Sequence, residues 1–170
     1  MDQNVSYPKK WEAKVATMVH KAKADQIWPL FEDFFGLHKW FPGLTTCRGI
    51  HGSNGEPGCI RYCSGFGIKQ ESCTNESNSK MSWSKERLVV IDRAQMTFTY
   101  EMVDCNIGYK SYVSTVKIVL GDEKRGGCAV EWWISLDPVV GWKLEDLVKK
   151  YEVGLELMVK KMEAAIFGSC

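Results

Sequence analysis

The chain has 170 residues, 45% hydrophobic and 25% charged, and its 22 Lys and Arg nearly balance 21 Asp and Glu for a net charge of +1. That length fits one domain with a substantial core, and the lack of a basic run or stripe argues against nucleic acid or an anionic membrane surface as partner. The opening MDQNVSYPKKWEAK has no apolar signal-peptide region and no run approaches a membrane span, so the expected location is the cytoplasm, with access to the nucleus.

Residues 1–9 are expected to form a flexible tail and 10–167 a single domain. KWEAKVATMVHKA (10–22) alternates apolar and polar residues as a strand does. In KADQIWPLFEDF, Ile27, Trp28 and Phe31 recur at helical spacing, and Pro29 is expected near the helix start, where it does least harm. FGLHKWFPGL (35–44) predicts a second short helix stopped by Pro42-Gly43. TTCRGIHG and CIRYCSGF predict strands joined by the turn-rich SNGEPG. A polar loop is expected over CTNESNSK (73–80). Three long strands follow, at 81–92, 94–105 and 108–122, with short connections that imply antiparallel neighbours. A last strand covers 127–139. From 144 to 167, Leu144, Leu147, Val148, Tyr151, Leu155, Met158 and Met162 trace the apolar stripe of one long amphipathic helix. The plan is α+β: a curved antiparallel sheet wrapped on a long C-terminal helix, with two short helices after the first strand. The gap between sheet and helix is a natural ligand cavity.

Seven cysteines with no Cys-x-x-Cys and only scattered histidines make zinc improbable. Cys59 and Cys63, the nearest pair in sequence, lie four strand steps or about 13 Å apart. All seven read as small hydrophobes without disulfides. His20, His38 and His51 have no partner spacing, no Ser or Cys stands in a nucleophile elbow, and GFG at 65–67 is not a phosphate loop.

Alternation sorts the inner face of the sheet. It places inward Met96, Phe98, Tyr100 and Met102; then Tyr112, Ser114, Val116 and Ile118; then Cys128, Val130, Trp132 and Ile134. On the strand at 81–92 the same face carries Glu86, Leu88 and Val90. Glu86 is thus a carboxylate in step with apolar residues. Arg61 shares its face with Cys59 and Cys63, where a guanidinium is costly to bury alone. By spacing alone, a solvated position is the simpler account of each. The alternative is that both point into one cavity, where each offsets part of the other's desolvation. There an arginine would offer fixed donors to an oxyanion, a carboxylate would move a proton, and Tyr112 would orient a ligand.

Over roughly residues 10–166 the chain resembles the plant lachrymatory factor synthase-like proteins of the START-like, polyketide cyclase and birch-pollen-allergen superfamily. The stretches that carry the likeness are KW (10–11), LHKWFPGL (37–44), GCIRY (58–62), WSKERLVVID (83–92), GYKSYVSTVKI (108–118) and EWW (131–133). The resemblance implies a helix-grip fold, a curved seven-stranded antiparallel sheet around a long C-terminal helix with a cavity between them. It implies that Arg61, Glu86 and Tyr112 match the functional residues of the onion member, and Tyr100 and Trp132 its pocket aromatics. It also implies a cofactor-free isomerisation in which Glu86 shuttles a proton, Arg61 holds an oxygen and Tyr112 positions the substrate. The stretch between Arg61 and Glu86 is longer here, through CTNESNSK, so access and substrate are open to difference. The superfamily's abscisic acid receptors share the look of ERL and YKS, but their SGLPA gate and HRL latch are missing, and abscisic acid sensing is not expected.

The reading that results is a small-molecule pocket protein: a cofactor-free isomerase or cyclase acting on a small, mostly apolar ligand with an oxyanionic group. The alternative is a non-catalytic binder or carrier. Arg61, Glu86 and Tyr112 are the candidate catalytic residues. Phe98, Tyr100, Val130, Trp132, Tyr151 and Leu155 are the candidate ligand contacts. No metal or cofactor is expected, and the chain is expected to be a monomer or weak dimer.

Overall fold

The structure is a computed structural model that describes residues 8–65, 81–122, 124 and 127–168. The loop expected at 73–80 and all but the last two residues of the expected tail lie outside these. Seven strands form one antiparallel sheet: β1 (Trp11–Val19), β2 (Thr46–His51), β3 (Ile60–Ser64), β4 (Trp83–Asp92), β5 (Thr97–Cys105), β6 (Val113–Leu120) and β7 (Cys128–Leu136). The order across the sheet is β1-β7-β6-β5-β4-β3-β2. Strands β2 to β7 thus run as a meander, and β1 closes the far edge against β7. The connection from β1 to β2 carries helix α1 (Ala24–Glu32) and a 3-10 segment, Phe34–Lys39. Helix α2 (Leu144–Phe167) lies along the sheet, in contact with β1 and α1. Among the described residues, no helix is long and apolar enough to cross a membrane.

Alternation generates the core as expected. Phe98 and Tyr100 of β5, Val116 and Ile118 of β6, and Val130, Trp132 and Ile134 of β7 are all buried. They meet Ile27, Trp28 and Phe31 of α1 and the stripe of Leu147, Tyr151, Leu155, Met158 and Met162 on α2. On the opposite face of β3 and β4, Tyr62 and Trp83 stack with ring centroids 6.1 Å apart, with Arg48 over the Tyr62 ring and Lys85 over that of Trp83.

Four details differ from the sequence reading. Val90 points outward, with 52% of its surface exposed. A register shift between Leu88 and Val90 sets two steps of β4 against one of β5, since Leu88 faces Tyr100 while Val90 already faces Thr99. Such a bulge reverses alternation, and Ile91 takes the place opposite Phe98. Met96 stands in the turn before β5 with φ +50° rather than in the strand. Pro29 occupies the sixth of nine positions in α1, on its exposed side, where water can satisfy the carbonyl its ring leaves free. The close thiols are Cys47 and Cys63, register partners on β2 and β3 whose Sγ atoms lie 3.5 Å apart as free cysteines. The hydrogen bond from Cys63, with Arg61 close by, lowers the Cys47 thiol below its ordinary range.

The burial of α2 gives a direct check on which face it packs. Leu155 is fully buried, whereas Leu157 keeps 40% exposure. Leu155→Ala is expected to cost about 2–5 kcal/mol in urea unfolding, and Leu157→Ala about 0.5 kcal/mol or less. Equal costs would mean that the helix is rotated from this position.

Candidate functional site

The sheet register brings Arg61 and Glu86 together. They are direct partners across β3 and β4, on the face of each strand that turns into the core. Arg61 is 3% exposed and Glu86 5%. Arg61 Nε donates to Glu86 Oε2 at 2.7 Å, and Nη2 lies 2.6 Å from the same oxygen. Nη1 donates to the carbonyl of Phe34 at 2.9 Å. The guanidinium also stands 3.9 Å from the Phe34 ring centroid and 5.0 Å from that of Tyr100, a cation–π contact on each. Glu86 Oε1 accepts a hydrogen bond from Ser84 Oγ at 3.1 Å. Burial opposes the charge on Arg61, but the carboxylate of Glu86 together with the nearby Cys63, Tyr100 and Cys47 outweighs it and holds the guanidinium above its ordinary range. Every nitrogen of Arg61 and both oxygens of Glu86 are therefore engaged.

A chain of tyrosine hydroxyls runs beside this pair. Tyr112 Oη lies 3.3 Å from Tyr100 Oη and 2.8 Å from Tyr151 Oη, joining β5 to α2. Tyr109 stacks on Tyr112 with centroids 5.5 Å apart. Burial, with Glu86 nearby, pushes Tyr100 up to about 12. Burial also raises Tyr109, Tyr112 and Tyr151. At neutral pH all four are hydroxyls that donate and accept hydrogen bonds, and none is a phenolate base.

Two neighbouring cavities lie between sheet and helices. The first is walled by Arg61, Phe98 and Met158 among others. The second is walled by Glu86, Tyr151 and Lys150 among others. Leu37, Tyr100 and Trp132 line both. Trp132 is held by its Nε1, which donates to Ser114 Oγ, while Ser114 Oγ donates to the carbonyl of Trp133 at 2.8 Å. The ion pair thus straddles the wall, with its cation on one cavity and its anion on the other.

Of the residues singled out in the sequence, Arg61, Glu86, Phe98, Tyr100, Trp132 and Tyr151 line these cavities. Tyr112 lines neither and sits behind the wall, bonded to Tyr100 and Tyr151. Val130 and Leu155 are fully buried in the packed core and also line neither cavity. Several wall residues escaped the sequence reading. Tyr109 precedes β6, where Ser111 at φ +54° breaks the alternation that would have sent it outward. Trp40 and Phe41 come from the segment between the 3-10 turn and β2, which has no periodicity to read. The Nε1 of Trp40 is buried without a hydrogen-bond partner among the described residues. Phe41 packs over Gly154 of α2, where an added Cβ would meet its ring at 3.2 Å. The helical glycine is the one signal in the sequence for that close approach.

The geometry of the pair has an energetic consequence. Removing one member leaves the other charged and buried, so Arg61→Met alone is expected to cost about 3–5 kcal/mol in urea unfolding. The double change Arg61→Met with Glu86→Leu is expected to recover most of that loss. If the single change costs no more than a surface substitution, the pair is not desolvated as described.

The comparisons with known proteins agree with this architecture. In the solved structure of major latex-like protein 151 from Panax ginseng, the match has a TM-score of 0.68 at 19% identity and covers 93% of this chain and 98% of that one. The protein XoxI from Bacillus cereus matches with a TM-score of 0.62 at 18% identity, over 94% of this chain and 96% of that one. At such identities the likeness is one of fold: the same curved sheet closed by a long C-terminal helix. A family model described as polyketide cyclase / dehydrase and lipid transport matches residues 11–163, nearly the whole of the sheet and α2. The chain belongs to the polyketide cyclase/dehydrase and lipid transport family.

Proposed function

We propose that this protein is a cofactor-free isomerase or cyclase that relocates a proton on a small, mostly apolar ligand bearing an oxyanionic group, held between the sheet and α2. The observation that carries the reading is the Arg61–Glu86 pair on the wall of two largely apolar cavities. A buried ion pair adds little to stability over a hydrophobic pair of the same size. Its place at the wall is accounted for by chemistry on a ligand. Glu86 takes a proton from one ligand atom and returns it to another, so no redox partner is needed. Arg61 remains protonated throughout and faces the negative charge as it moves. Tyr112 acts through the hydroxyls of Tyr100 and Tyr151, which do line the cavities. The resemblance to lachrymatory factor synthase-like proteins supports the same three residues in these roles.

A second reading is favoured by one observation. Because each nitrogen of Arg61 and each oxygen of Glu86 already has a partner within the protein, the pair is held in place without a ligand. In that case the protein is a binder or carrier and the pair is scaffolding.

The two readings part at Glu86. Incubating the protein in D2O with a panel of small apolar acids and their tautomerisable analogues, followed by NMR, reads both turnover and deuterium placed at a new atom. Under the isomerase reading, Glu86→Gln is expected to lower turnover about 10²–10⁴-fold and to change ligand affinity little. Undiminished turnover in that variant refutes a proton role for Glu86, and binding without any turnover by the native protein favours the carrier.

A further inference from the structure

The charges around the second cavity do not cancel once Arg61, which pairs with Glu86 from behind the wall, is counted. Glu86, Tyr100, Tyr109, Tyr151 and Lys150 are the titratable groups around the second cavity. Glu86 is neutralised by Arg61, and the tyrosines are uncharged at neutral pH. Lys150 is left. It stands on α2 between the buried Leu147 and Tyr151 and is itself half-buried. No carboxylate among the described residues lies within ion-pair distance of it, nor does it appear as a hydrogen-bond donor to any of them. Two other lysines of the same helix behave differently: Lys149 faces Glu152 at 4.0 Å and Lys160 faces Glu156 at 2.8 Å, both on the exposed side. Burial alone draws the Lys150 amine down to about 8, which leaves it protonated at neutral pH.

A partly desolvated ammonium without a charged partner among the described residues, on an otherwise neutral and aromatic wall, calls for an anion. We propose that Lys150 is the anion anchor of the second cavity, and that the ligand is an amphipathic organic monoanion. Its carboxylate or sulfonate-like group lies at Lys150, and its apolar body lies against Trp132, Met102 and Phe41. Arg61 does not fill this role, because its charge is matched by Glu86 and it lines the first cavity rather than the second. The proposal rests on the reading of the cavity as a site for small apolar ligands, and it adds the charge and orientation of the ligand.

The test uses two fluorescent probes that share one ring system: anilinonaphthalenesulfonate, an anion, and N-phenylnaphthylamine, which is neutral. Each is titrated into the native protein and into Lys150→Met and Lys150→Arg at neutral pH. Met keeps the apolar stem of the lysine and removes only a desolvated charge, so the fold is expected to hold, and thermal melting checks it. Lys150→Met is expected to weaken the sulfonate about tenfold, the worth of a charged hydrogen bond, and to leave the neutral probe unchanged. Lys150→Arg is expected to retain the sulfonate. The anchor role is overturned if Lys150→Met leaves sulfonate affinity intact or weakens both probes equally. Failure of the neutral probe to bind the native protein overturns the ligand-cavity reading itself, and the anchor with it.

Discussion

The ion pair between Arg61 and Glu86 is the constraint around which this fold is arranged. A guanidinium only 3% exposed cannot stand on one hydrogen bond, and the structure surrounds it from three directions. The register of β3 against β4 sets the carboxylate directly opposite. The 3-10 segment after α1 brings in both the carbonyl of Phe34 and the face of its ring. Strand β5 adds the ring of Tyr100. Three elements therefore converge on one side chain of β3, and a slip of one residue in β3 would turn Arg61 to the outer face and leave Glu86 unmatched. The interaction adds modestly to stability and strongly to specificity of arrangement, since partial satisfaction of such a site is worse than none.

The tyrosine chain solves a different problem at the same place. A wall that faces an apolar cavity but must hold polar groups needs donors and acceptors that carry no charge. Tyr100, Tyr112 and Tyr151 satisfy each other across β5, the approach to β6 and α2, and burial keeps their hydroxyls protonated. Tyr112 is the central member, and its bonds tie the sheet to the helix. Trp132 stands edge-on to Tyr151, with centroids 5.1 Å apart, and its own N–H is spent on Ser114. The wall is thereby fixed in position while presenting mostly ring surface to the cavities.

Much of this was legible from alternation and helical spacing because one face of the sheet and one stripe of α2 are buried. Phe98, Tyr100, Trp132 and Tyr151 fall inward for that reason alone. Alternation also marked Arg61 and Glu86 as out of place, but it carries no information on register, so their direct opposition was beyond it. It fails wherever the backbone departs from regular pleat. The bulge in β4 turns Val90 outward, and the positive φ at Ser111 turns Tyr109 inward beside Tyr112. Val130 and Leu155 show the other limit. Pattern identifies a residue as buried, but whether it meets a cavity or another side chain depends on packing. Lys150 escaped notice because it flanks the apolar stripe of α2, where a lysine ordinarily extends its stem along the surface and its charge into water.

The pairing also bears on how proton movement would be possible in so dry a site. Protonating Glu86 alone would strip Arg61 of its counterion and leave a naked cation in a low-dielectric wall, a change of several kcal/mol against the reaction. If the proton comes from a ligand in the cavity, the ligand gains one negative charge as the carboxylate becomes neutral. The negative charge then shifts across the wall without leaving the field of Arg61, and the total charge beside the guanidinium is unchanged. Return of the proton to a second ligand atom reverses the shift. On the proposed chemistry, Arg61 needs no motion at any stage, since its anchors on Phe34 and Tyr100 hold it while the charge it faces changes owner. A ligand without an acidic hydrogen, or without an atom able to delocalise the resulting charge, has no such route and would occupy the cavity unchanged.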